Sequence, residues 1–164
     1  MVPVTPIGRL ELDSVSGKPG YFKFSVLPSF YASEDPAMYQ YAIDWSKLPA
    51  FSSLPADSTS VLMYSYTLPT IDVSQAFAPE TEKIEFPLGS IITVRKYSLA
   101  RPHAEYIRSM LFETRWRGGY FDEAPANLKT NISGGALGFF GVCSVIESKR
   151  IVKPHNVLQQ YQGN

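Results

Sequence analysis

Cysteine is almost missing from this chain. Cys143 is the only one in 164 residues, so no internal disulfide can form and the thiolate-rich metal sites are excluded. Histidine is scarce as well: His103 and His155 stand far apart, with no metal-site spacing between them. Neither sign of charge is in surplus, because 15 Lys+Arg balance 15 Asp+Glu, which leaves no overall field to recruit nucleic acid or anionic lipid. The halves differ mildly, −3 over residues 1–97 and +3 over 98–164, too little to name a partner. Long apolar runs are lacking too. The longest, Ala136 to Ile146, is too short for a membrane-spanning helix and is interrupted by Gly138, Gly141 and Ser144. Met1-Val2-Pro3-Val4-Thr5-Pro6 has no basic start and no apolar stretch ending in small residues, so no secretory signal is legible there.

What is present is core material. With 45% hydrophobic and 13% aromatic residues, the chain suffices for one domain, expected over residues 1–153 with a polar tail over 154–164. There is no internal repeat and no low-complexity tract. Period-two alternation, which sends successive side chains to opposite sheet faces, recurs through the first hundred residues. Leu10 and Leu12 alternate with Glu11 and Asp13; Phe22, Phe24 and Val26 share one face; Tyr39, Tyr41, Ile43 and Trp45 share another. Val61–Thr67 and Ser90–Tyr97 are further strand candidates. Turn signals separate them at Ser16–Gly20, Glu34-Asp35-Pro36 and Pro87-Leu88-Gly89. Lys47–Ser60 and Pro69–Lys83 read as long surface loops.

Helical periodicity is clear once, over about residues 99–116. Ser98 is suited to cap the helix, Pro102 is tolerated in the first turn, and Gly118-Gly119 ends it. His103, Tyr106, Ile107, Met110, Leu111 and Thr114 fall on one side and should pack on the sheet. Glu113 and Arg117, four apart, form a supporting pair. The apolar run 136–146 reads as a buried strand carrying Cys143 as a small hydrophobe. The expected fold is therefore mainly β: an antiparallel sandwich or partly open barrel with one amphipathic helix packed on it.

Candidate sites are few. Arg101, Arg108 and Arg115 recur every seven residues on the outer helix face with Phe112 among them, either a partner-binding stripe or a second packing surface of the same domain. Trp116, Tyr120 and Phe121 are candidate ligand-stacking residues, as are Tyr39, Tyr41 and Trp45, although alternation already assigns the latter to the core. The adjacent acids Asp122-Glu123 and Glu34-Asp35 sit in turn contexts, and catalysis by carboxylates would need distant residues such as Asp44 and Asp72 to converge. Gly134-Gly135-Ala136-Leu137-Gly138 precedes a strand, not a helix, and so is read as a turn with close backbone approach, not as a phosphate cradle. Asn131-Ile132-Ser133 fits the glycosylation pattern. No catalytic residue, metal or cofactor is assigned.

The order of Ser98-Leu99, a helix to Trp116, Gly118-Gly119-Tyr120-Phe121-Asp122, Pro125-Ala126-Asn127-Leu128, Thr130-Asn131-Ile132 and Gly135-Ala136-Leu137-Gly138-Phe139-Phe140 resembles the C-terminal signature of a Bacteroidetes outer-membrane lipoprotein family of unknown function, domain of unknown function 4249. Asp35-Pro36-Ala37-Met38-Tyr39-Gln40-Tyr41 is similar to an earlier strand of that family, so the likeness spans about residues 20–146. The family's lipoprotein signal and additional N-terminal β-domain are not in this sequence, which looks like the C-terminal part of such a protein. The resemblance implies a mostly β, outer-membrane-associated protein beside a TonB-dependent transporter, with no established catalytic residues. The expected function is a non-enzymatic cell-envelope module, an accessory or docking component of a surface nutrient-uptake assembly. Its partner would be an envelope protein, with no nucleic acid and no transmembrane segment in this chain. The alternatives are a glycan- or small-ligand-binding β-domain and a hydrolase with dispersed carboxylates.

Overall fold

The computed structural model describes residues 6–8, 10–25, 31–32, 35–68, 84–114, 130–135 and 138–154, with the backbone alone at 31, 32 and 112–114. The elements run in the order β1 (Leu12–Ser14), β2 (Tyr21–Phe24), β3 (Tyr31–Ala32), β4 (Ala37–Asp44), β5 (Ser60–Leu68), β6 (Phe86–Pro87), β7 (Ile91–Ser98), α1 (Arg101–Thr114) and β8 (Val145–Ile151). A 3-10 turn, Ala56–Ser58, lies in the expected loop before β5. Strands β1, β2 and β6 form a three-stranded antiparallel sheet, and the larger sheet has the order β3-β5-β4-β7-β8. All pairings in the larger sheet are antiparallel except the short parallel one of β3 with β5. Among the described residues the fold is mainly β, two sheets with one helix, and no barrel closes.

Alternation builds the interior. Phe22 and Phe24 on β2 and Phe86 on β6 meet Tyr41, Ile43, Trp45, Met63, Ile92 and Val94 of the larger sheet, so the two sheets share one core between them. Phe24 stands edge-on to both Tyr41 (5.6 Å) and Phe86 (5.5 Å), the geometry that ring quadrupoles favour. Tyr41 and Trp45 are thus core residues, not a ligand platform. The turn into β7 needs its glycine: Gly89 has φ +88°, and a Cβ there would lie 2.9 Å from Leu48 Cδ2.

The opposite face of the larger sheet carries the helix. Tyr66 and Leu68 of β5 pack with Leu99 and with Ala104, Ile107 and Leu111, which recur at helical spacing on the underside of α1. Of the expected inner stripe, Ile107 and Leu111 are buried, His103, Tyr106 and Met110 are half-buried, and the Thr114 side chain lies outside the described residues; Ala104 is fully buried.

Two local expectations are corrected. Ser98 does not cap the helix. It ends β7, its N–H donating to the Ser144 carbonyl (2.9 Å) and its hydroxyl accepting the Ser144 N–H (3.0 Å). The helix starts at Arg101, with the Ala104 N–H donating to Ala100. Nor is the apolar run a buried strand: 138–144 is irregular, Phe140 and Val142 are 77% and 80% exposed, and Cys143 is half-buried outside any strand. The strand begins only at Val145 and continues through charged residues that the apolar pattern did not mark.

Candidate functional site

The irregular segment beside the first turns of α1 packs on the helix through some of its residues and leaves others in solvent. Phe139 points inward, stacked on His103 with ring centroids 4.7 Å apart and packed against Tyr106 at 5.6 Å. Gly141 passes so close that a Cβ would lie 3.1 Å from His103 Nδ1, so a side chain here would require the imidazole to give way. Phe140 and Val142, the intervening residues, are left in solvent.

The backbone at Phe140 and Gly138 is held by side chains of the preceding segment. Asn131 Nδ2 donates to the Phe140 carbonyl (2.6 Å), and Asn131 Oδ1 accepts the Phe140 N–H (2.8 Å), reproducing a strand-like pair with one side chain. The Thr130 hydroxyl donates to the Gly138 carbonyl (2.6 Å) and accepts the Ile132 N–H (3.0 Å). The Asn131 nitrogen that a glycan would take is therefore engaged in fixing Phe140. Partly exposed Ile132 lies in the same clamp and touches the place where a Gly138 Cβ would be, at 3.1 Å.

Burial lowers the pKa of His103 below its ordinary value of 6.5, since the stacked ring is easier to hold neutral than charged. The sign follows directly: the native state binds fewer protons, so this contribution is present above pH 6.5 and is lost as pH falls below it. Urea denaturation of wild type against His103→Phe should show a wild-type stability that declines more steeply below pH 6.5. Parallel pH profiles would contradict the assignment.

A second group of polar residues lies on the helix-bearing face of the larger sheet. Register places Tyr64, Gln40, Arg95 and Glu147 side by side across β5, β4, β7 and β8. Gln40 Nε2 donates to the Tyr64 hydroxyl (2.8 Å), while Gln40 Oε1 accepts from Arg95 Nη1 (3.1 Å) and from the Tyr97 hydroxyl (3.2 Å). Arg95 Nε donates to Glu147 Oε2 at 2.7 Å. No sequence motif signals this row, because it exists only once four strands are aligned. On the other face Lys96, 6% exposed, sets its ammonium 5.4 Å from the centre of the Tyr39 ring, a cation held against an aromatic face.

Of the residues singled out in sequence, Arg101 is exposed at the start of α1 and Arg108 is half-buried. Phe112 lies on the helix but its side chain is outside the described residues, as are Arg115, Trp116, Tyr120 and Phe121. The helix stop at Gly118-Gly119, the Glu113 to Arg117 pair, the loop 69–83 and Asp72 are also outside them. Asp44 has a local role: Ser46 bonds its carboxylate, the amide at 2.8 Å, and this, followed by Lys47 and Lys149, holds its pKa below the usual value. Among the described residues no three His, Cys, Asp or Glu side chains gather as a metal would require, and no helix is long and apolar enough to cross a membrane. No protein-family profile, curated protein or solved structure matches the chain.

Proposed function

We propose that this protein is a non-catalytic docking module whose contact surface is centred on Phe140 and Val142, with Arg101 at the head of the adjoining helix. The observation that carries the reading is the combination of exposure and fixity. Two apolar side chains, 77% and 80% exposed, stand beside residues packed on His103, and the Phe140 backbone between Phe139 and Gly141 is clamped by Asn131. Burying them against a partner removes apolar area from water, and a clamped segment loses little further freedom on binding. An exposed aromatic anchor has the composition of an interface hot spot. The occupant we favour is a protein of the cell envelope offering an apolar pocket; the stripe read from the sequence, Arg101, Arg108 and Arg115 with Phe112, is a second candidate contact. The family resemblance supports an outer-membrane location and a role in a TonB-dependent nutrient-uptake assembly.

The double substitution Phe140→Ser with Val142→Ser should leave the circular dichroism spectrum and urea midpoint near wild type, because neither side chain is in a core. Co-purification with envelope proteins should fall at least tenfold. Unchanged co-purification with an intact fold would remove this surface from the account.

A second reading, binding of a hydroxylated ligand such as a glycan, is favoured by the row of Tyr64, Gln40, Arg95, Glu147 and Tyr97. There a planar amide, a guanidinium, a carboxylate and two phenols lie on one sheet face. A glycan that raised the melting temperature of wild type but not of Gln40→Ala would shift the assignment to that row.

A further inference from the structure

Strand β8 is the last strand of the larger sheet, and among the described residues nothing pairs with its outer edge. The direction of its main-chain groups follows from its bonds to β7. Ser98 donates to Ser144, and Val152 donates to Ser90, both at 2.9 Å, so the even-numbered residues exchange hydrogen bonds across this ladder. In an antiparallel pair bonding alternates, so Ile146, Ser148 and Arg150 face β7 while Val145, Glu147, Lys149 and Ile151 turn their amides and carbonyls outward. The side chains of those same four residues share the helix-bearing sheet face. Val145 and Ile151 are 49% and 54% exposed, which is unusual for apolar residues closing both ends of an edge strand.

We propose that β8 pairs with β8 of a second copy of this chain, antiparallel and centred on Ser148, so that two five-stranded sheets become one continuous sheet across a two-fold axis. The argument is self-complementarity. In this register Val145 faces Ile151 of the other copy and Glu147 faces its Lys149, with the reciprocal pairs generated by symmetry. Every outward amide and carbonyl of the four residues then meets a partner. Glu147 uses Oε2 for Arg95, leaving Oε1 for the incoming lysine.

The neighbouring registers that preserve the bonding pattern are penalised. A slip one way opposes Glu147 to its own copy, and a slip the other way opposes Lys149 to its own copy. Like charges directly opposite each other destabilise a sheet. Charges scattered along an edge only to deter aggregation would have no reason to be complementary under a two-fold axis. Because the contact is isologous, it uses the β8 edge of both copies and closes at a dimer.

The proposal is tested by charge exchange on the full chain, read by sedimentation. Glu147→Lys and Lys149→Glu each place like charges opposite one another in the homodimer, and each should weaken dimerisation by about tenfold or more relative to wild type. Mixed in equal amounts, the two variants should form a heterodimer as stable as the wild-type dimer, because one chain then carries a lysine at both positions and meets a chain carrying a glutamate at both. Lys149→Glu leaves the Arg95 to Glu147 pair intact, and so keeps the test valid if Glu147→Lys folds poorly; in that case the measurement is its homodimer alone. A wild-type monomer at all concentrations overturns the proposal, whether or not a strand from another protein then occupies the edge. So do open-ended growth beyond a dimer, variants that dimerise as wild type does, or two folded variants whose mixture fails to recover.

Discussion

Phe86→Ala is expected to lower stability by about 3–5 kcal/mol, the cost of removing a phenyl ring from a closed interior and leaving a cavity. Phe86 is 0% exposed and is the β6 contribution to the core between the sheets. It stands edge-on to Phe24, which in turn stands edge-on to Tyr41, so the ring is one end of an aromatic chain linking the small sheet to the large one. Strand β6 is only two residues long and cannot hold the small sheet by its ladder alone. Against a typical net stability of about 5–15 kcal/mol, the loss should move the urea midpoint far down with little change of slope. A shift below about 1 kcal/mol would mean that the sheets do not close over this ring.

Ile107→Asp should act on the other face of the large sheet and with a different signature. Ile107 packs with Tyr66, Leu68, Leu99, Ala104 and Leu111, a cluster separate from the inter-sheet core. A carboxylate there must remain charged in an apolar setting, take up a proton, or pull the helix off the sheet, and the total cost exceeds about 3 kcal/mol. Release of α1 is the cheapest of the three outcomes, because the core containing Phe86 does not include the helix. Helical circular dichroism should fall and the His103 to Phe139 stack should be lost, while β4 and β7 amides retain hydrogen-exchange protection. Simultaneous loss of protection in β4 and β7 would show that the two clusters stand or fall together.

These two cores were unequally legible in the sequence. Much of the inter-sheet core followed from alternation, which set Phe22 with Phe24 and Tyr41 with Ile43 and Trp45, whereas Phe86, in a two-residue strand, carries no such pattern. The helix was also readable, but of its expected inner stripe only Ile107 and Leu111 are buried, while Ala104, whose small side chain adds little to an apolar pattern, is buried beside them. Ser98 misled because a hydroxyl before a helix has two uses. Which one it serves was decided by Ser144, 46 residues away. The run 136–146 misled for a similar reason: its composition fits a strand, but Gly141 against His103 and Asn131 on Phe140 hold it beside the helix instead. The row of Gln40, Tyr64, Arg95 and Glu147 could not be read at all, since its bonds span 24, 55 and 52 residues and depend on strand register. The self-complementary charges of β8 are plain in the sequence, but they acquire meaning only when the strand is known to be an edge.

The most direct measurement of the docking account is site-specific photocrosslinking in the native host, with a benzophenone amino acid at position 140 and, as a control, at the exposed loop residue Leu54. The account predicts one discrete adduct with a different envelope protein from position 140, lost when Ile107→Asp releases the supporting helix, and none from position 54. No adduct at position 140, or the same products from both positions, would contradict it.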